Sequence, residues 1–154
     1  MSIEKDIKSL VGMSNKYGAD AEFVLAGGGN TSYKTDDTLY IKGSGTSLAT
    51  ITEEGFVKID RAELEKIWNA KFSDVEAERE AQVLSMMMDS RKKGEEGKRP
   101  SGETLLHDLL PQKFVLHVHP ALVNGNTCSV NREKIAEELC PDAVCVPSTT
   151  PGYI

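Results

Sequence analysis

The stretch TSYKTDDTLYIKGSG, Thr31 to Gly45, reads as two strand-like runs joined through Asp36-Asp37, with apolar and polar residues alternating in the second run. That pattern is a hairpin, and a hairpin brings antiparallel pairing into whatever sheet it joins. Gly43 and Gly45 close it in a flexible loop. The rest of the chain mixes helical and strand-like patterns. The expected fold is therefore α/β, a three-layer α/β/α sandwich around a mixed, largely antiparallel sheet.

Upstream, Ile3, Ile7, Leu10 and Val11 recur at helical spacing and predict an amphipathic helix ending near Gly18. AEFVLA, from Ala21, reads as a short strand, and GGGNTS after it as a turn. Downstream, GFVKI reads as a strand. Asp60 is placed to cap RAELEKIW, whose apolar face is Leu64, Ile67 and Trp68. A long helix is predicted from Ser73 to about Lys92, buried along Ala77, Ala81, Leu84 and Met88, with Met86-Met87-Met88 filling core. KKGEEGKRPSG is an exposed loop. SGETLLHDLL reads as a short helix, KFVLHVH as a buried strand, NREKIAEELC as a helix capped by Asn131, and AVCVPS as a further strand.

A chain of 154 residues is expected to fold as one domain over 1–154 with a real core. Its net charge of −6 argues against a broad nucleic-acid surface. No run approaches the ~20 apolar residues that span a bilayer. The N-terminus lacks a signal-peptide pattern. Three cysteines (Cys128, Cys140, Cys145) without a CxxC pair fit a reducing setting, so a cytoplasmic location is expected.

Three places could carry chemistry. In AGGGNTS, Ala26 to Ser32, consecutive glycines leave amides open to an anion, although the same residues suit a plain tight turn. KGSGTS, Lys42 to Ser47, offers hydroxyls and open amides, and again a loop suffices to explain it. In RPSGETLLHDLLPQKFVLHVHP, Ser101 precedes a helix, Glu103 falls at its start, and His107 shares a face with Glu103. His117 and His119 flank Val118, so a strand projects both rings to one side. They are either two ligands converging on an ion such as zinc or two hydrogen-bonded buried imidazoles.

GGGNTS, KGSGTSLATIT, RPSGETLLH and VLHVHP, in this order and spacing, resemble the class II aldolase/adducin family across roughly 21–123. KGSGTSLAT and RPSGETLLHDLLP are most similar to the aldolase portion of bifunctional rhamnulose-phosphate aldolase/alcohol dehydrogenase proteins. The resemblance implies a metal-dependent aldehyde-lyase that cleaves a phosphorylated ketose such as rhamnulose-phosphate or fuculose-phosphate. It implies that Gly29, Asn30, Ser44, Gly45, Ser101 and Gly102 hold the substrate phosphate, that Glu103 is the acid/base, and that His117 and His119 bind zinc. It further implies a homo-oligomer, a tetramer in the family, with sites between subunits. A non-catalytic adducin-like assembly domain and a sugar-phosphate epimerase or dehydratase are alternatives in the same family.

The sequence departs from the family pattern in two places. Ser101-Gly102-Glu103 stands where the family carries Ser-Ser-Glu. No histidine follows His119 to act as the family's third zinc ligand. The expectation is a domain incomplete at its C-terminal end, with Glu103, His107 or Cys128 as possible substitutes for that ligand.

Overall fold

In the computed structural model of the chain, residues 2–25, 27–144, 146 and 152–153 are described. The hairpin is present: β1 (Asn30–Lys34) and β2 (Thr38–Lys42) pair antiparallel, with Tyr33 opposite Tyr40. Thr35, Asp37 and Thr38 hold the turn through their side chains. β3 (Phe56–Asp60) pairs with β2 and β4 (Phe114–His117) with β1, giving the order β3-β2-β1-β4. All three strand pairs among the described residues are antiparallel, as the hairpin implied.

Helices lie on both faces. α1 (Ile3–Gly18) packs Ile7 and Leu10 against Tyr33, Ile51 and Phe56 on one face. On the other, Leu39, Ile41, Val57 and Ile59 meet α2 (Arg61–Trp68), α3 (Glu76–Asp89) and α4 (Thr104–Leu109) through Leu64, Ile67, Val83, Met87 and Leu105. Two faces of alternating apolar side chains, each with its own helical cover, make the three layers.

Several boundaries differ from the sequence reading. Of AEFVLA, residues 21–25 do not extend as a strand, and Ala26 lies outside the described residues. Asp20 accepts from the amide of Glu22 with its side chain and from Phe23 and Val24 with its carbonyl, and this local turn outcompetes β propensity. α3 starts at Glu76, after Ser73 has bonded Glu78 and the Val75 amide. It stops at Asp89 because the next residues turn to join β3: the Asp60 amide donates to Ser90, and Ile59 bridges Arg91. Its buried stripe is Val83 and Met87, while Ala77 and Ala81 face solvent.

Asp60 does cap α2, accepting from the amides of Ala62 and Glu63. Leu64 and Ile67 are fully buried, but Trp68 is 42 % exposed. Beyond β4 the chain forms α5 (Ala121–Thr127), which the pattern did not announce, and α6 (Arg132–Leu139). Asn131 stands at the start of α6 as expected, yet its side chain makes no capping bond. Of AVCVPS, residues 143, 144 and 146 are not in a strand, and Cys145 and 147–148 lie outside the described residues. α5, α6, Ala143, Val144 and Val146 line an apolar groove of about 600 Å³. No helix among the described residues is long and apolar enough to cross a membrane.

The two ends of the α2 face make a clean contrast. Leu64→Ala removes a fully enclosed side chain and is expected to destabilise the protein by about 2–5 kcal/mol. Trp68→Ala is expected to cost less than about 1 kcal/mol. Urea denaturation of both variants checks the assignment of the buried face.

Candidate metal centre

β1 is buried along its whole length although four of its five residues are polar or charged. Each one is engaged, and parity divides them. Thr31 and Tyr33 face α1, where Thr31 meets the Ser14 hydroxyl at 2.7 Å and Tyr33 donates to Asp6 at 3.0 Å. Asn30, Ser32 and Lys34 face α4. The Asn30 amide donates to Ser101 and to Glu103. Ser32 pairs with His107 Nδ1 at 2.8 Å. Lys34 donates to the carbonyls of His107, Asp108 and Leu110, closing the C-terminal end of α4. β1 thus holds both ends of a short helix and fixes the residue that begins it, Glu103.

The segment leading into α4 is tied to the loop after β2. The Ser44 amide donates to Arg99, Gly43 bridges Pro100, and the Ser101 amide donates to Lys42. Gly29, just before β1, has φ +77°, and a Cβ there would come within 3.0 Å of the His117 carbonyl. Only glycine lets this loop pass so close beneath β4. Gly45 also has a positive φ of +83°.

β4 lies beside β1 with His117 directly opposite Asn30. His117 Nδ1 is 2.9 Å from Glu103 Oε2, and His117 Nε2 is 3.0 Å from His119 Nε2. His119 lies beyond the strand, with its amide bonded to the Phe23 carbonyl at 2.9 Å. One ligand atom each from Glu103, His117 and His119 lies within 4.8 Å of the others. Two imidazole nitrogens on one tetrahedral zinc, at ~2.0–2.1 Å each, would stand about 3.3 Å apart. The existing spacing is close to that, so the three residues fit a divalent cation. Their spacing is compatible with the two imidazoles meeting one cation, with the Glu103 carboxylate close by.

Of the other substitutes considered, His107 is not in this set. It is fully buried, with its ring centre 6.4 Å from that of His117. Cys128 is exposed beyond α5 and stands outside the set as well.

Charge is tightly coupled here. The hydrogen bond from His117 holds Glu103 down to about 2, against burial that pushes it up, and the Asn30 amide adds to the lowering. His117 is raised in turn, first by the same bond. Burial lowers His107 to about 4. Lys42, at the end of β2, is lowered by burial, with the Glu103 charge opposing. It is 5 % exposed and has no ion-pair partner among the described residues. The sequence reading weighed its loop only for hydroxyls and amides. A lysine closing an apolar-alternating strand, just before two glycines, was the available signal.

Of the six residues assigned to phosphate, Asn30 and Ser101 are bonded directly, and Gly29 adjoins them. Ser44 and Gly45 are exposed on the neighbouring loop, and Gly102 is exposed beside Glu103.

Comparison with known proteins agrees with this architecture. The family model described as Class II Aldolase and Adducin N-terminal domain matches residues 9–153. The chain belongs to the class II aldolase and adducin family. It is similar to the solved N-terminal class II aldolase domain of a conserved protein from Thermoplasma acidophilum, at 32 % identity and a TM-score of 0.70, over 90 % of this chain and 67 % of that one. It is also 34 % identical to a curated Bacillus subtilis (strain 168) protein named as an uncharacterized oxidoreductase, YuxG. That match covers 98 % of this chain and 22 % of the relative, so the chain spans about a fifth of the relative's length.

The buried neutral imidazole of His107 predicts a pH dependence. Its folded pKa lies below the ordinary 6.5, so the unfolded chain takes up the proton more readily. Its contribution is whole above pH 6.5 and is lost as pH falls toward 4, by about 3 kcal/mol in all. Urea titrations at pH 7 and 4.5 are expected to show a steeper loss in wild type than in His107→Gln.

Proposed function

We propose that the chain is the aldolase domain of a zinc-dependent sugar-phosphate lyase that splits a phosphorylated ketose of the rhamnulose- or fuculose-phosphate class. The observation that carries this reading is the convergence of Glu103, His117 and His119, with the Asn30 amide bonded to Ser101 and Glu103 beside them. Membership of the class II aldolase and adducin family supports it.

His117 and His119 would hold the cation through their imidazole nitrogens, with the Glu103 carboxylate beside them. A divalent cation bound there supplies Lewis acidity toward a substrate oxygen that gains negative charge as the carbon–carbon bond breaks. The chain's own residues do the rest. Gly29, Asn30, Ser44, Gly45, Ser101 and Gly102 receive the phosphate, and the buried ammonium of Lys42 supplies positive charge near them in an otherwise acidic chain. Fixing the phosphate orients the bond to be cleaved toward Glu103 and the histidines.

Glu103 moves the proton. While it accepts from His117 its basicity is suppressed, so proton transfer requires that bond to loosen when substrate enters. Assembly as a homo-oligomer, and a place in a longer polypeptide, belong to the same reading. The cluster favours this reading over a non-catalytic assembly domain, because such a module has no use for two converging imidazoles with a carboxylate beside them.

Three substitutions test the proposal on zinc-loaded protein. His117→Ala is expected to abolish stoichiometric zinc binding, measured by elemental analysis after dialysis. Glu103→Gln is expected to lower the rate of retro-aldol cleavage by at least 100-fold while the bound zinc changes little. If zinc and activity disappear together, Glu103 is a ligand and not the acid/base. Lys42→Met is expected to raise KM for the phosphorylated ketose about tenfold or more and leave KM for the unphosphorylated sugar unchanged.

A further inference from the structure

Two enclosed polar side-chain atoms, Asn30 Oδ1 and His107 Nε2, have no protein partner among the described residues. Their residues are 5 % and 0 % exposed. Buried polar groups are normally paired, so each calls for one. The Asn30 amide cannot be turned over to relieve this. Its Nδ2 donates to Ser101 and Glu103, and a flip would set the carbonyl oxygen against the Glu103 carboxylate. Asn30 Oδ1 is therefore an acceptor that lacks a donor.

His107 supplies the complement. Ser32 Oγ lies 2.8 Å from Nδ1; with that hydroxyl as the donor, the ring proton resides on Nε2 and makes it a donor toward the site. Asn30 and Ser32 stand two apart on one face of β1, and His107 docks on Ser32. The His107 ring is 6.4 Å from that of His117, the residue paired opposite Asn30.

We propose that His107 is a positioning residue for Glu103. Its Nε2–H, through one buried water, holds Asn30 Oδ1 and so keeps the Asn30 amide aimed at the carboxylate. The line runs Ser32, His107, water, Asn30, Glu103. It rests on the reading of Glu103 as the acid/base only for its effect on rate. The tautomer and the link stand apart from that reading.

The chain has three histidines, so ring-nitrogen NMR of protein labelled with 15N-histidine shows three ring systems, assigned through His117→Gln and His119→Gln. The expected spectrum gives His107 a slowly exchanging proton on Nε2 that shifts in Asn30→Leu. A proton on Nδ1, or an Nε2–H signal that Asn30→Leu leaves unmoved, overturns the proposal.

Activity gives a second reading. His107→Gln places an amide nitrogen near the Nε2 position, and His107→Asn places one near Nδ1. The glutamine variant is expected to keep kcat for ketose-phosphate cleavage within about 3-fold, and the asparagine variant to lose about 10–100-fold with KM and bound zinc unchanged. Equal loss in two folded variants, or full activity in His107→Asn, counts against the role. If no phosphorylated ketose is cleaved even by wild type, the proposed function fails, while the NMR result still decides the link.

Discussion

The burial of β1 from both sides is the constraint on which this structure depends. A strand of Asn, Thr, Ser, Tyr and Lys enclosed between α1 and α4 is stable only if every side chain finds a partner. Parity sends Thr31 and Tyr33 to one helix and Asn30, Ser32 and Lys34 to the other. The second set does more than satisfy itself. It fixes both ends of α4, a helix of six residues that its own hydrogen bonds could not hold. Glu103 is where it is because a strand some seventy residues earlier requires hydrogen-bonding partners there.

The same arrangement sets the electrostatics. One carboxylate, two imidazoles and a near-buried lysine lie close together in a protein that is acidic overall. Glu103 and His117 restrain each other, the acid held far below its usual range and the base above it. A cation on the histidines and a phosphate near Lys42 would each meet a group of complementary charge. Net charge, which argues against a broad nucleic-acid surface, says little about such a pocket, where a few desolvated groups outweigh the average of the surface.

Much of this was legible in the sequence. The hairpin, the cap at Asp60, the first helix and the one-sided projection of His117 and His119 follow from local chemistry, and local chemistry is what a sequence displays. What stayed hidden depends on distance in space. AEFVLA has strand composition, yet a single aspartate at position 20 turns it. The face that α3 buries is chosen by how it meets β3, so Val83 and Met87 face the core where Ala77 and Ala81 were expected. Trp68 belongs to an apolar stripe by spacing but falls at the exposed end of α2. Lys42 looked like part of a loop, and only its packing shows an enclosed charge. His107 was offered as a spare ligand because it shares a turn with Glu103. Its bond to Ser32 turns the ring to another use.

The contacts that build the centre also say when it can form. Asn30 to Ser101 and Glu103, Ser32 to His107, and Lys34 to the end of α4 join residues 71 to 76 apart in the chain. Closing such loops is entropically slow and brings no gain until both sides have docked. The hairpin and α1 can assemble from near neighbours, but the centre exists only after β4 and α4 have come down on β1. Its geometry is therefore a product of long-range docking, with nothing in the neighbouring sequence able to hold it alone.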